Sequence, residues 1–381
     1  MCSGKFGPVH HYWRQSSLEN SKMGGHSDSF GIRVPPSISL VHNLRLMDSH
    51  TASNPPPPIF SKLEDLAQDR GYLTYEQFSR IALYDADHGY YTARRQRVGK
   101  TPEADFYTSM SLGPMFGKLV VAAIQSLLHE EELSGYTFVE IAAEPETSLL
   151  NGVEHSFAQH RIIRLGDPLQ VEGRAVVFSN EWLDAQPFHR LVFKEGTWKE
   201  VAIQVEGDDL QEILLDAPSR ELQPWIEQLP PQTLDGYHFD VPTGAESALS
   251  QLLSQDWSGL FLTLDYGKTL QELVECTPQG TARAYSRHQQ SPDLLAQPGE
   301  QDLTCHLCWD WLENLLERND FSEVQTLRQE SLFMRHASHA IRQIMEQATS
   351  PQDSGKLKEL LHPAHLGHTF QALCGIRAKK H

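Results

Sequence analysis

Apolar and polar positions alternate along the chain in two rhythms, one of short apolar runs and one of helical spacing. The shortest and densest run is Ala175-Val176-Val177-Phe178, β-branched and aromatic and too short for a helix. Such a run reads as a strand buried on both faces. The same reasoning predicts strands at Tyr136–Ile141, Arg161–Leu165 and Leu260–Leu264, and a last one at Phe370–Ile376. That last strand follows helices, where it could pair as an antiparallel edge. Leu191–Phe193 and Val201–Val205 flank a Glu-Gly turn and predict an antiparallel hairpin outside the main sheet.

Helical spacing begins near Ser61–Asp69. It resumes after Thr74, where Thr74 and Gln77 form a capping-box pair ahead of Phe78, Ile81 and Ala82. Further helices are predicted over Leu112–Leu128 and about 219–229, 243–254, 306–318, 329–348 and 355–361. Strands alternating with helices give an α/β fold with a three-layer sheet. Only a single crossover fits between Glu140 and Arg161, and six residues between Asp167 and Arg174 hold no helix. The first half of the sheet is therefore predicted to be abbreviated.

Residues 1–58 are polar, rich in Ser, His, Gly and Asn, and end in Pro55–Pro58. They are expected to be a disordered leader, with Met47 a candidate start, since they bury too little apolar surface to offset ordering entropy. The organisation expected after it is an N-terminal helical cap, 59–135, and an α/β domain, 136–381, with the hairpin and helical insertion at about 189–256.

Composition narrows the partners. The charge is −18, from 32 Lys+Arg against 50 Asp+Glu, which argues against nucleic acid or an anionic membrane. The patch Arg94-Arg95-Gln96-Arg97 with Lys100 reads as a solvated turn, although it could meet one anionic group. No apolar run approaches the ~18–20 residues of a membrane span. Five cysteines without framework spacing fit a reducing compartment, and a cytoplasmic location is expected. Cys305-x-x-Cys308 invites a zinc reading, but free cysteine also packs as a small hydrophobe, and no metal site is expected.

Chemistry is concentrated where the strands end. Ser179-Asn180-Glu181 and Asp184 follow the Ala175–Phe178 run at once, and in open α/β sheets ligands bind beyond the carboxyl ends of strands. Capping of a following helix by Ser179 or Asn180 is the plainer alternative. Asp265 closes the strand Leu260–Leu264, and Gly267 is expected to permit a tight turn. Glu181 and Asp184 suit a guanidinium, since paired carboxylates match its planar fork of donors, though a surface ion pair would use the same residues. His306, in Asp302-x-x-x-His306, could orient a carboxylate or substrate, or be a buried, satisfied histidine.

Several segments together carry a resemblance: Gly71–Phe78, Ala82-Leu83-Tyr84, His88-Gly89-Tyr90-Tyr91, Asp105–Ser109, Met115-Phe116-Gly117, Phe138–Pro145, Ser179–Pro187, Asp265-Tyr266-Gly267, Ala282–His288 and Pro298–His306. The chain resembles, over roughly 61–376, the class I S-adenosylmethionine-dependent methyltransferases of the mitochondrial complex I assembly-factor type and their bacterial relatives. The resemblance implies a Rossmann-like, seven-stranded and mostly parallel sheet with an antiparallel C-terminal strand. It also implies S-adenosyl-L-methionine as cofactor and a protein substrate, with arginine as the family's attested acceptor type. The oligomeric state is left open.

The family's first strand runs into a glycine-rich loop, and here that place reads Glu140-Ile141-Ala142-Ala143-Glu144-Pro145-Glu146. The family's ribose-binding acid closes strand two, and the short 141–160 segment is read as having lost that strand. Asp167 then resembles the end of strand three, facing the adenine. The implied cofactor set is Glu140, Ala142, Asp167 and Asn180, with Asp105 and Thr108 covering it or capping a helix. The implied catalytic set is Glu181, Asp184, Asp265 and His306. Glu140, Asn180 and Asp265 are expected to converge on one hollow. The altered loop sets up the alternative function, a cofactor-free assembly or interaction protein on the same fold.

Overall fold

Six strands form the main sheet: β1 Thr137–Ile141, β2 Gln159–Ile163, β3 Gly173–Asn180, β4 Trp257–Asp265, β5 Phe321–Arg328 and β6 Gln371–Arg377. In this computed structural model, which describes residues 57–92, 109–286, 289–347 and 351–379, their order is β5-β6-β4-β3-β1-β2. β1, β2, β3 and β4 run parallel, while β6 is antiparallel to both β4 and β5. All described residues belong to the compact unit Pro56–His381. The expected leader up to residue 56, the Arg94–Lys100 patch, Asp105 and Thr108 lie outside the described residues, while Pro58, expected to end the leader, opens the helix Pro58–Ala67.

The pleat of β3 explains why the sheet has helices on both faces. Val176 and Phe178 enter one core with the helix Pro114–Leu127 and with two C-terminal helices, Gln329–His336 and Ser338–Gln347. Ala175 and Val177 enter the other core, with the helices Thr243–Leu253 and Trp309–Arg318. With both faces covered, none of Ala175, Val176, Val177 and Phe178 is more than 1% exposed, so the apolar run is continuous rather than alternating.

The hairpin also forms outside this sheet. His189–Lys194 pairs with Thr197–Glu206 through a turn whose central residues, Glu195 and Gly196, have φ of 55° and 79°. Two left-handed residues match the twist of the flanking strands. Tyr72–Thr74, Asp209–Leu214 and His238–Val241 extend the hairpin to five strands. The capping box at Thr74 and Gln77 caps Tyr75–Tyr84 as predicted.

Five expectations need correction. First, the last strand is interior, because Phe321–Arg328 pairs outside it. That outer strand escapes the pattern because Glu323, at φ 53°, interrupts its alternation where the register shifts between Ser322 and Gln325. Second, the sheet has six described strands, and β2 pairs directly with β1. The missing strand is therefore the outer one, not the neighbour of β1, and β2 stands in the place of strand two. Third, about 219–229 is only a 3₁₀ turn, Arg220–Leu222, followed by the single-turn helix Gln223–Ile226. Fourth, the helix expected from 306 starts at Trp309. Leu307–Cys308 is extended and pairs with Gly267–Lys268, and the thiols of Cys305 and Cys308 pack in separate apolar clusters. Fifth, Gly267 is required for space rather than for a turn. A Cβ there would stand 2.4 Å from the Trp309 indole.

Candidate active site at the strand tips

The parallel strands end in step. Asn180 lies beside Leu264, and the ladder continues as Glu181 N donates to Leu264 O (2.9 Å) and Ala142 N to Ile163 O (2.8 Å). Three non-glycine residues at these tips are left-handed: Ala142 (φ 60°), Glu146 (61°) and Glu181 (52°). Such a conformation costs a side chain roughly 1–2 kcal/mol and collects at functional turns. Ala142 thus keeps the backbone path that a glycine would take. Ala142, Pro145 and Glu146 are exposed.

Glu140 is 2% exposed, and a buried carboxylate must be bonded. Ser148 Oγ donates to its Oε2 (2.7 Å), Leu149 N donates to Oε1 (2.8 Å), and His160 Nε2 lies 3.4 Å from Oε2. Its carboxylate therefore clamps the 142–149 loop back over β1. Asp167 is exposed, and its Oδ2 accepts from Arg164 N (2.9 Å), closing a turn.

The side chain of Asn180 donates to Glu181 Oε1 (2.7 Å), while its buried Oδ1 accepts no hydrogen bond. The pleat places Asn180 and Glu140 on the face of Phe138, Phe178 and Leu264, and Asp265 on the other. The expected convergence of Glu140, Asn180 and Asp265 is thus replaced by another. Asp265 turns under the loop after β3, accepting from Leu183 N (2.9 Å), Trp182 N (3.2 Å) and Tyr266 N (2.9 Å). Glu181 is partly buried, whereas Asp184, Asp265 and Asp302 are 5%, 0% and 2% exposed.

These four carboxylates bear on one another. Burial pushes Glu181 up to about 8; the Asn180 amide opposes this, and the charges of Asp265, Asp302 and Glu144 add to it. Asp265 is pushed up to about 6 by burial, held down by its backbone donors and by Asp184. Asp184 is raised well above the carboxylate range by burial and by the charges of Asp265, Glu181 and Asp302. Among the described residues, no Lys or Arg pairs with Glu181, Asp184 or Asp265.

His306 stands apart from this cluster. Its imidazole is pushed down to about 4 by burial and by the charges of Lys268 and Arg283, and its backbone N donates to Thr281 Oγ1 (3.1 Å). The Asp302-x-x-x-His306 spacing therefore splits: Asp302 joins the carboxylates and His306 faces cations. Asp302, Tyr91, Tyr266 and Tyr285 join the cluster without a role that their sequence pattern assigns. For Asp302 the available signal was a lone acid between Gln301 and Leu303 in a short strand, in the same motif that drew attention to His306.

The residues present fit a cofactor at this edge: a glycine-like path at Ala142, an orphaned acceptor on Asn180, and a loop held by Glu140. Comparison with known proteins agrees. Residues 113–326 match the model of a family of S-adenosyl-L-methionine-dependent methyltransferases. A mitochondrial protein arginine methyltransferase NDUFAF7 homolog of Drosophila melanogaster is 26% identical over 214 residues, 53% of this chain and 47% of that protein. The match thus spans about half the length of that curated relative. A Burkholderia thailandensis protein crystallised with S-adenosyl-homocysteine shares the fold at TM-score 0.72 and 18% identity, over 87% of this chain and 96% of that one. A native crystal structure from the same organism matches at TM-score 0.69 and 18% identity, with the same coverage. The fold is Rossmann-like, the family's cofactor is S-adenosyl-L-methionine, and with more than half its length matched by the family model this chain belongs to the S-adenosyl-L-methionine-dependent methyltransferases.

Proposed function

We propose that the chain transfers a methyl group to a protein nitrogen, with the arginine guanidinium as acceptor. The observation that carries this reading is the group of carboxylates Glu181, Asp184 and Asp265, beside Asn180 and without a basic partner among the described residues. Buried carboxylates gathered without a countercharge are costly, and an entering cation supplies that countercharge.

When bound, the cofactor supplies a methyl group already activated on its sulfonium, so the protein's task is positioning more than acid–base power. Asn180 Oδ1 would accept from the amino-acid end of the cofactor, and the Ala142 turn would let backbone approach it. Glu140 holds that turn in place; Asp105 and Thr108 are proposed to cover the cofactor and Asp167 to face its adenine. Glu181 and Asp184 would hold the guanidinium by its paired N–H groups. Asp265 positions both through the backbone of Trp182 and Leu183. Glu181, ionised once the cation has entered beside it, would take up the proton that the acceptor nitrogen gives up on receiving the methyl group.

The test is methyl transfer from labelled S-adenosyl-L-methionine to a protein extract, followed by acid hydrolysis and identification of the labelled residue. Label on methylarginine, lost in Glu181→Gln, is expected. Label on another residue, or undiminished transfer by that variant, refutes the assignment.

A further inference from the structure

Two motifs, His88–Tyr91 and Pro298–His306, have no part in this chemistry, yet they meet each other and the loop that carries Asp184. Gly299 has φ 81°, and a Cβ there would come within 2.2 Å of His88 O, so glycine alone allows the approach. Tyr84, just upstream of the first motif, donates its hydroxyl to Ala185 O (2.9 Å). From the second motif, Cys305 N donates to Asp184 O (3.2 Å). Two segments some 200 residues apart are therefore fastened to successive residues of one loop.

This arrangement brings side chains to the carboxylates. The Tyr91 ring stacks on Tyr84, centroids 5.4 Å apart at 19°. Asp302 stands directly opposite Tyr285 in the antiparallel pair Arg283–Ser286 and Asp302–Thr304. The charge of Asp302 reaches Glu181, Asp184, Tyr91 and Tyr285. With Asp302 those residues come from four segments of the chain, and Asn180, whose Oδ1 is unsatisfied, is bonded to Glu181.

We propose that Asp302 and Tyr91 form the acceptor side of the site, Asp302 as an acceptor-binding carboxylate and Tyr91 as the aromatic face beside it. The proposal rests on the methyl-transfer reading and specifies what that reading leaves open: where the acceptor enters and what selects it. A planar delocalised cation satisfies both walls, through forked hydrogen bonds to carboxylates and through attraction to an aromatic face. A neutral group of the same shape satisfies neither. Cation entry also lets the carboxylates ionise, so it expels protons. The groups that titrate are Glu181, Asp184 and Asp265, with the charges of Asp302 and Glu144 and the phenols of Tyr91, Tyr266 and Tyr285 facing them.

The experiment titrates the full chain calorimetrically with N-acetyl-arginine amide and with its neutral counterpart, N-acetyl-citrulline amide. The arginine amide should bind about tenfold tighter or more. Asp302→Asn and Tyr91→Leu should each weaken it about tenfold, while Tyr91→Phe stays within about twofold. All three should leave the dissociation constant of S-adenosyl-L-methionine within about twofold. Equal binding of the two amides, or unchanged arginine binding in Asp302→Asn, overturns the proposal. Should Asp302→Asn fail to fold, the wild type decides: repeated at pH 7 in buffers of different ionisation enthalpy, arginine binding should release protons, and zero release overturns the proposal. Failure of the wild type to bind S-adenosyl-L-methionine refutes the methyl-transfer reading instead, a result read in a separate titration.

Discussion

Replacing Glu181 with Gln should stabilise the protein, and increasingly so as pH rises. The carboxyl titrates at about 8 in the fold against an ordinary 4.5. Between those values the native state holds a proton that the unfolded chain has lost, so stability falls as pH rises through this window. At pH 7 the loss spans two and a half units at ~1.36 kcal/mol each, about 3 kcal/mol. Glu181 keeps partial access to solvent, which screens its charge, so about 1–3 kcal/mol is the expected range. Glutamine mimics the protonated carboxyl: its carbonyl still accepts from Asn180 Nδ2, as Oε1 does at 2.7 Å. Urea unfolding at pH 5, 6, 7 and 8 should therefore show wild type and variant nearly equal at pH 5 and diverging upward. A difference below about 0.5 kcal/mol at pH 8, the scale of ordinary surface substitutions, would refute the claim that this carboxyl is held neutral.

Two other substitutions test the architecture of the tips. Ala142→Gly should raise stability by about 0.5–1 kcal/mol, since it relieves a left-handed alanine by more than the added chain entropy costs; a destabilised variant on thermal unfolding would contradict the strained turn. Glu140→Ala should destabilise by about 2–3 kcal/mol, because the buried Leu149 N–H and Ser148 hydroxyl lose their acceptor; an unchanged denaturation midpoint would show that the clamp is not needed.

Which parts of this molecule could be read from its sequence follows from how local the determining physics is. The strand Gly173–Asn180 and the capping box at Thr74 are fixed by neighbours within a few residues, and both appear as expected. The antiparallel sense of Gln371–Arg377 came with the family resemblance, but its interior position did not, because Phe321–Arg328 hides its period behind a bulge at Glu323. Gly267 reads as a turn residue until Trp309, 42 positions away, is seen against it. The site divides in the same way. Asn180, Glu181, Asp184 and Asp265 sit at strand ends and could be placed there from pattern alone. Asp302 reaches them through the pairing of Arg283–Ser286 with Asp302–Thr304, and His306 departs because Leu307–Cys308 pairs with Gly267–Lys268 instead of starting a helix. Both are long-range events without a local signature.

The central claim is that the tips carrying Ala142, Asn180 and Glu181 hold a sulfonium cofactor. Thermal unfolding with increasing S-adenosyl-L-methionine tests it most directly, on the wild type and on Asn180→Ala. At 100 times the dissociation constant the wild type should gain about 2.7 kcal/mol. Asn180→Ala should need roughly 10–100-fold more ligand for the same gain, for loss of a hydrogen bond to a charged group. A wild type whose melting temperature does not move at millimolar ligand would contradict the claim.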